Sequence, residues 1–246
     1  MPNRPWAMAM TWRDLLFAHW EVPVEQLRAA VPGGLPLDLY EGRAFIGVVP
    51  FRMAGTRARF TPPIPGLSDF PELNVRTYVN VNNKPGVYFF SLDATNRPAI
   101  ETARATFGLN YLKAEMRCVR EGDTVSYSSV RTDRRGPPAE FHARYTATGE
   151  LFASKPGSLE HWLTERYALY TASKRGGVRM GEIHHRPWPL RPAVCEIETL
   201  DMTRLLGLEL EGPPVSVLMA DSITVPGWLP TRVRTDPAGA SQGPER

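Results

Sequence analysis

The sequence predicts a mainly β protein, a β-rich α+β chain in which many short strands form a barrel or a sandwich. Apolar residues make up 42% of the chain, enough for a substantial core. The chain also has 24 prolines. Because proline interrupts helices and central strands, the elements must be short and joined by rigid loops.

The clearest strand covers residues 72–82, where apolar or β-branched residues alternate with polar ones. One face carries Val75, Thr77, Val79 and Val81, and the other carries Asn74, Arg76, Tyr78 and Asn80. Strands 110–119 and 124–131 form a hairpin around the turn sequence Arg120-Glu-Gly-Asp123. The other predicted strands are 14–22, 35–40, 44–53, 87–94, 140–145, 165–172, 178–185, 193–199 and 215–222.

Short helices are predicted between some of these strands. Pro23 suits the first position of a helix over 23–31, which stops before Gly33. A second helix covers 97–106 and ends at Gly108. Two more are expected at 158–164 and 200–206. We expect a single domain over residues 1–233 and a disordered tail over 234–246, which has few apolar residues.

Composition excludes several classes of partner. The net charge is only +3 and the arginines are spread along the chain, whereas a nucleic-acid-binding protein would show a clustered basic stripe. The N-terminus lacks a signal-peptide pattern, and no apolar run approaches the ~20 residues that span a bilayer. We therefore expect a cytoplasmic protein with no nucleic-acid or membrane partner. Cys118 and Cys195 are expected to be reduced and mostly buried.

No cofactor or metal is expected. The chain has no phosphate-cradling loop, no dinucleotide fingerprint and no His-x-x-x-His spacing. His184 and His185 are adjacent and would diverge on a strand. Gly176-Gly177 has the wrong context for a nucleotide loop and is predicted to be a turn.

Short motifs in a fixed order extend from about residue 10 to about residue 225. They are Leu15-Leu-Phe-Ala-His-Trp-Glu-Val-Pro23, Val31-Pro-Gly-Gly-Leu35, Gly47-Val-Val-Pro-Phe51, Pro71-Glu-Leu-Asn-Val-Arg-Thr-Tyr-Val79, Gly86-Val-Tyr-Phe-Phe-Ser-Leu-Asp-Ala94 and His161-Trp-Leu-Thr-Glu-Arg-Tyr-Ala-Leu-Tyr170. Their order and spacing resemble the YqjF-like family (domain of unknown function 2071), within the acetoacetate decarboxylase-like superfamily. The resemblance implies a closed, mostly antiparallel acetoacetate decarboxylase-like β-barrel with an interior pocket and a few short peripheral helices.

The segment Phe107-Gly-Leu-Asn-Tyr-Leu-Lys-Ala-Glu115 resembles the one in which acetoacetate decarboxylases carry a Schiff-base lysine. At the positions of that family's lysine pair, its substrate-holding arginine and its strand glutamate, this chain has different residues. They are, in order, Tyr111 with Leu112, Glu21, and Asn74, with Glu72 two residues away. Because none of the three roles is filled, acetoacetate decarboxylase activity itself is not expected.

Lys113 keeps a lysine-dependent reaction open. Residues two apart on a strand share a face, so Lys113 points the same way as Tyr111, about 7 Å further along. The alternative is an ion pair with Glu115 or Glu101 at the rim. A nucleophilic lysine would also need a pKa lowered by burial or by a neighbouring cation.

Arg76 indicates a ligand site most strongly. In a closed barrel one face of each strand points inward, and the valine-rich face of 72–82 is expected to pack under external helices. The polar row then lines the lumen. A guanidinium in a partly dry lumen needs an anion, and its fork matches a carboxylate. That anion is either a ligand or one of three protein carboxylates: Asp93, Glu72 or Glu165.

Other polar side chains are predicted to join Arg76. Tyr78 and Tyr111 offer hydroxyls to a bound oxygen. Ser91 and Asp93 share a face of the neighbouring strand. His19 either joins this polar set or has a purely structural role. The predicted ligand-binding set is Arg76, Asn74, Tyr78, Tyr111, His19 and Ser91. The candidate catalytic residues are Tyr111, Lys113, Glu21 and Asp93.

The sequence therefore favours a protein that binds a small organic acid or carbonyl compound, with or without acid–base catalysis. One alternative is a lysine-dependent lyase or decarboxylase-like enzyme that uses Lys113. The other is a structural or interaction protein whose barrel is filled by side chains. Barrels of this superfamily often assemble into homo-oligomers, and the sequence leaves that open here.

Overall fold

The computed structural model describes residues 2–173 and 177–234. The strands of this part of the chain are β1 (Met8–Val22), β2 (Ala44–Ala58), β3 (Phe70–Val81), β4 (Lys84–Ala94), β5 (Tyr111–Glu121), β6 (Thr124–Arg131), β7 (Glu140–Ala147), β8 (Ala168–Ala172), β9 (Val178–Ile183), β10 (Leu190–Leu200) and β11 (Ser216–Val233). The α-helices are α1 (Val24–Ala30), α2 (Arg97–Phe107) and α3 (Leu159–Thr164), and a 3₁₀ turn covers Arg204–Leu206.

The strands form one sheet of 11 strands that closes on itself by two routes. Strands β1 to β4 form a common wall, and β11 pairs with β1. From β4, one route returns through β5, β6, β7 and β10 to β11, and the other returns through β8 and β9. Of the pairings between the described strands, only those of β4 with β5 and with β8 are parallel. The predicted closed, mostly antiparallel barrel with few helices is confirmed.

The wall has two buried faces because successive residues of a strand point to opposite sides. One face packs against β6 and β7: Leu16, Leu73 and Val75 share an apolar cluster with Phe141 and Tyr145. The other face packs against the 184–189 segment and β11: Leu15, Phe17, Val49 and Phe51 share a cluster with Trp188 and Val225. Which face a side chain takes therefore decides which interior it enters.

Helix α2 covers one side of this second interior. Asn96 caps it by accepting a hydrogen bond from the Ala99 amide at 3.1 Å, and Gly108 ends it with a φ of 69°. Ile100 is 1% exposed and belongs to the second cluster. The helix predicted over 97–106 is thus confirmed, together with its stop signal.

Some predicted boundaries were wrong. Residues 35–40 form only isolated bridges, since Pro36 cannot donate to a ladder, whereas β2 continues to Ala58. Strand β11 runs to Val233 rather than to 222 and passes Pro226 and Pro230, with a register shift against β9 between Trp228 and Thr231. The helix predicted over 200–206 is only a 3₁₀ turn at Arg204–Leu206, and Leu200 belongs to β10.

The remaining expectations concern the two cysteines, membrane-spanning segments and the C-terminal tail. Cys118, in β5, and Cys195, in β10, are both free and half-buried. No helix of the described residues is long and apolar enough to cross a membrane. Gly176 and most of the predicted tail, residues 235–246, lie outside the described residues.

Candidate functional site

A cavity of about 140 Å³ lies on the second face of the wall, between β1–β4, α2, β9 and the 184–189 segment. Its walls are mainly apolar, with Phe17, Val49, Phe51, Leu92 and Trp188 among the lining residues. The polar or charged residues that line it include Glu72, Asn74, Arg76, Tyr111, Arg166 and His185. A few polar groups in an apolar enclosure are typical of a small-molecule site.

Arg76 enters this cavity from the middle of β3 and is 8% exposed. Its Nη2 donates to the Leu163 carbonyl at 3.0 Å, and its guanidinium carbon lies 5.2 Å from the centre of the Phe17 ring. Within the described residues no carboxylate forms an ion pair with it, and its Nε has no hydrogen-bond partner. A buried cation of this kind is stabilised by hydrogen bonds and ring faces but lacks a counter-ion.

His19 and Tyr78 hold Arg76 from behind rather than lining the cavity. The Tyr78 hydroxyl donates to the Leu163 carbonyl at 2.9 Å and lies 2.7 Å from His19 Nε2, so His19 Nε2 is the donor in that contact. Burial, followed by the charge of Arg76, lowers the pKa of His19 well below its usual value. His19 is therefore neutral, and the network adds no second positive charge.

Gly47 makes this arrangement fit. It pairs with His19 on β1 and with Arg76 on β3, so it lies between them on β2. A Cβ at this position would lie 3.0 Å from the His19 ring and 3.4 Å from Arg76 Cγ. The missing side chain is what lets the two residues approach each other over β2.

Asn74 and Glu72 continue the polar row away from Arg76. Asn74 is 5% exposed, and its Oδ1 has no hydrogen-bond partner among the described residues. Glu72 Oε2 accepts a hydrogen bond from the Tyr111 hydroxyl at 2.9 Å. The predicted residues Asn74, Arg76 and Tyr111 are thus brought together around one cavity.

The Glu72–Tyr111 pair is uncharged near neutral pH. Burial raises the pKa of Glu72 to about 8, an effect that the Tyr111 hydrogen bond opposes and the charge of Asp93 reinforces. Burial and the neighbouring carboxylate raise the pKa of Tyr111 well above its usual value. The part of the cavity lined by Glu72 and Tyr111 is therefore polar but neutral.

Arg166 adds a second guanidinium to the lining. Its Nη1 forms an ion pair with Asp38, and its Nε donates to the Trp162 carbonyl at 2.6 Å. Its Nη2 has no partner among the described residues. Burial lowers the pKa of Arg166 and Asp38 opposes that effect.

His185 and Trp188 enter the cavity from the segment between β9 and β10. Trp188 is fastened by two hydrogen bonds, from its amide to Glu165 Oε1 at 2.9 Å and from its indole to the Thr164 carbonyl at 3.0 Å. His185 Nδ1 lies 2.7 Å from the Arg186 carbonyl, while its Nε2 is buried without a partner in the described chain. Burial lowers the pKa of His185, so the ring is neutral.

The structure places Ser91 and Asp93 on the other face of the wall. Asp93 accepts two hydrogen bonds of 2.8 Å from Arg131, and both side chains are 0% exposed. Ser91 accepts a third from Arg131 at 3.2 Å. The cause is a register shift in β3–β4, where Ser91 pairs with Val75 while Phe89 pairs with Arg76. Because cross-strand partners share a face, Ser91 leaves the face of Arg76.

Lys113 and Glu21 lie outside the cavity. The Lys113 side chain is exposed and does not line the cavity, because the strand runs past the end of the enclosure after Tyr111. No ion pair of Lys113 occurs among the described residues; Glu101 pairs with Arg135 instead. Glu21 has a side chain that is 45% exposed and pairs with Arg43 at 3.5 Å.

The cavity is also lined by residues that were not predicted from the sequence: Arg166, His185, Trp188 and Trp12. The Trp12 ring lies 5.8 Å from that of Trp188 and 6.5 Å from that of His185. The two-residue period of β3 predicts that Glu72 lies on the same face as Asn74 and Arg76, so its place in the cavity lining follows from the sequence. The 184–189 segment has no periodicity, so nothing local pointed to His185.

The lining residues together present several buried polar atoms that no described protein group satisfies: Trp12 Nε1, Asn74 Oδ1, Arg76 Nε, Arg166 Nη2 and His185 Nε2. Buried polar groups in proteins are nearly always hydrogen-bonded, so their concentration around one cavity is unusual. No cluster of His, Cys, Asp and Glu that could hold a metal occurs in the described residues.

Comparison with known proteins identifies the family and the fold. A model of the DUF2071 family, described as an uncharacterized conserved protein, matches residues 9–224. The uncharacterized protein YqjF of Bacillus subtilis (strain 168) is 46% identical over 210 residues, which cover 85% of this chain and 86% of YqjF.

Among solved structures, an acetoacetate decarboxylase-like enzyme from Sphingomonas wittichii RW1 superposes with a TM-score of 0.66 at 13% identity, covering 94% of this chain and 95% of that one. The acetoacetate decarboxylase of Legionella pneumophila gives 0.62 at 15% identity, covering 96% and 93%. The enduracididine biosynthesis enzyme MppR complexed with pyruvate gives 0.63 at 11% identity, covering 96% and 93%. The chain therefore belongs to the DUF2071 family and has the acetoacetate decarboxylase-like fold.

Proposed function

We propose that the cavity binds a small organic acid, and that Arg76 receives its carboxylate. One observation carries this proposal: Arg76 is buried, faces a cavity and has no carboxylate partner among the described residues. Desolvating a guanidinium without an anion is costly, whereas a bidentate carboxylate compensates that cost directly.

The expected protein counter-ions are engaged elsewhere. Asp93 is bound to Arg131, Glu165 accepts from Trp188 and Tyr167, and Glu72 accepts from Tyr111. The three carboxylates that would have made Arg76 structural are thus committed to other groups. This supports the ligand alternative.

The volume and the lining set the class of ligand. A cavity of about 140 Å³ is similar to an engineered ~150 Å³ cavity that admits benzene, so a ligand of about six non-hydrogen atoms fits. Asn74 offers an amide beside Arg76, and aromatic and aliphatic side chains form the remaining wall. A short 2-oxo or 3-oxo acid, such as pyruvate or acetoacetate, has the matching carboxylate, carbonyl and small apolar group.

No lysine supports imine formation within the described chain. Lys84 forms an ion pair with Glu182, which lines the cavity, and Lys113 and Lys155 are exposed; none of these three lysines lines the cavity itself. The proposal is therefore non-covalent binding, or acid–base chemistry on a bound acid. Borohydride with pyruvate or acetoacetate should leave no reduced adduct in the mass spectrum of the intact protein.

Calorimetry tests the carboxylate contact. Pyruvate and acetoacetate are titrated into the wild type, Arg76→Met and Arg144→Met, the last being an exposed arginine in the middle of β7. A hydrogen bond to a charged group contributes about 1.5–3 kcal/mol, so Arg76→Met should weaken binding about 10- to 100-fold, with Arg144→Met unchanged. Methyl pyruvate, which lacks the charge, should bind the wild type and Arg76→Met equally weakly.

Two results would contradict the proposal. The first is failure of the wild type to bind any oxo acid of this size. The second is equal binding of pyruvate by the wild type and a folded Arg76→Met protein, which would place the ligand elsewhere.

A further inference from the structure

His185 also lines this cavity with a buried ring nitrogen, Nε2, that has no hydrogen-bond partner among the described residues, and it can act as a base where Arg76 cannot. It is 3% exposed and lines the cavity. A carbonyl can only accept a hydrogen bond, so the 2.7 Å contact with the Arg186 carbonyl places the ring proton on Nδ1. Nε2 therefore carries a free lone pair, and no described group donates to it.

The position of the ring is rigidly set. His185 lies 4.6 Å from the Tyr167 ring and 4.8 Å from the Trp188 ring, measured between ring centres. Trp188 is held by Glu165 and by the Thr164 carbonyl, so the end of α3 positions the whole turn. A lone pair held in place on a rigid support is what general-base catalysis requires.

Arg76 and His185 flank one aromatic pair. The Arg76 guanidinium lies over Phe17, the Phe17 ring contacts Trp188 edge-on at 4.9 Å, and Trp188 contacts His185. Arg76 and His185 line the same cavity of about 140 Å³, so an acid with its carboxylate on Arg76 shares that cavity with His185. Asn74 lies on the same strand face as Arg76, where its amide can donate to a carbonyl oxygen.

We propose that His185 Nε2 accepts a proton from the carbon next to the carbonyl of an oxo acid bound at Arg76. This inference rests on the proposed function. The C–H bond breaks, the proton moves to Nε2, and the electron pair of that bond forms the C=C bond of an enolate. The carbonyl π electrons move to oxygen, where the Asn74 amide and the Arg76 charge stabilise them. The imidazolium then returns the proton, so the step is an enolisation that needs no oxidant or further reactant.

The neutral state of His185 agrees with this role. Burial lowers the pKa of His185, and the charges of His184 and Arg76 act in the same direction, while Glu165 and the Arg186 carbonyl oppose them. The ring is thus unprotonated at neutral pH and ready to accept. Its partners from the other packed elements are Tyr167 and Trp12.

Exchange of the pyruvate methyl protons in D₂O, followed by proton NMR, tests the assignment. The wild type should exchange them well above the buffer rate. His185→Gln should lower that rate at least about 100-fold, the usual contribution of a general base, while its Kd for pyruvate changes less than about threefold. His184→Gln is the matched control, since His184 does not line the cavity, and it should exchange like the wild type. Borohydride treatment excludes exchange through an imine.

The outcomes separate the two proposals. Binding of pyruvate by the wild type without exchange overturns the role of His185 and leaves carboxylate binding intact. Undiminished exchange in His185→Gln overturns it as well, and absence of binding by any oxo acid overturns both. Should His185→Gln not fold, side-chain nitrogen NMR of the wild type replaces it. It should show His185 protonated at Nδ1, with an Nε2 signal that moves as pyruvate saturates the protein; an unmoved signal contradicts the assignment.

Discussion

Arg131 and Arg76 are both buried arginines, and they lie on opposite faces of the same four-stranded wall. Arg131 donates two 2.8 Å hydrogen bonds to Asp93 and others to Ser91 and the Pro137 carbonyl. Among the described residues, Arg76 contacts only the Leu163 carbonyl at 3.0 Å, the Tyr78 hydroxyl at 3.5 Å and aromatic faces. The first is a completed structural ion pair. The second is a cation that the described protein leaves without an anion, beside a cavity.

The comparison teaches that burial alone does not distinguish a structural charge from a binding charge. Both guanidiniums are withdrawn from water, and what differs is whether the fold supplies the counter-ion. This gives the two arginines opposite expected responses to mutation: one should control stability, and the other should control affinity.

The largest expected loss of stability follows from substitution of Asp93. Asp93→Asn leaves the Arg131 charge buried and unpaired, which should lower the free energy of unfolding by about 3–5 kcal/mol in urea titrations. Asp221→Asn is the control, because its ion pair with Arg120 is at the surface and contributes only about 0–1 kcal/mol. Equal effects of the two variants would remove the structural half of the comparison.

Gly47→Ala should disturb the Arg76 side selectively. The new methyl group would lie 3.0 Å from the His19 ring and 3.4 Å from Arg76 Cγ, so both must move. Overpacking of this kind costs about 1–3 kcal/mol of unfolding free energy, and pyruvate affinity should fall with it. Gly33→Ala, where no atom of the described residues lies within 4 Å of the added Cβ, should change neither quantity. Unaltered pyruvate binding in Gly47→Ala would argue against a site at Arg76.

Glu72 should make stability fall as pH rises. Its pKa is raised to about 8 in the folded protein from the usual 4.5, so the folded state holds a proton that the unfolded state has lost between these values. The contribution of Glu72 to the free energy of unfolding is therefore fully present below about pH 4.5. Above that pH it declines by at most about 1.4 kcal/mol per pH unit up to about pH 8. Urea titrations from pH 5 to 9 should show this slope in the wild type and in Glu115→Gln, an exposed control, but not in Glu72→Gln. Identical slopes in all three proteins would show that Glu72 is ionised.

The smallest effect on stability is expected at Arg76 itself. Arg76→Met removes a charge that has no carboxylate partner in the described part of the chain, and the Leu163 carbonyl keeps its hydrogen bond from Tyr78. Because burial of an unpaired cation is unfavourable, the unfolding free energy should not fall, whereas Arg131→Met, which strands Asp93, should lower it by about 3–5 kcal/mol. If Arg76→Met is as unstable as Arg131→Met, Arg76 has a structural partner and the contrast fails.

Local signals predicted much of this fold from the sequence. The alternation of β3, the hairpin of β5 and β6, and the stop of α2 at Gly108 depend on residues close in the chain. The extension of β11 depends on its pairing with the distant strand β9, which overrides local propensity, and the loss of the strand at 35–40 follows from Pro36. Closure of the sheet was predicted from the family resemblance, because no single strand carries a signal for it.

The site was only partly predictable for a related reason. Asn74, Arg76 and Tyr111 follow from strand period and from the aligned motif. Ser91 and Asp93 follow the same period, but the irregular pairing between β3 and β4 turns them to the opposite face. His185 and Trp188 come from an aperiodic segment, and only tertiary contacts bring them to Arg76.

A crystal structure of the protein grown with pyruvate or acetoacetate tests the central claim most directly. The account predicts electron density for the acid in the cavity, with a carboxylate oxygen about 2.7–2.9 Å from Arg76 Nε. A cavity filled by side chains, with Arg76 Nε bonded to a carboxylate of the protein, would contradict it.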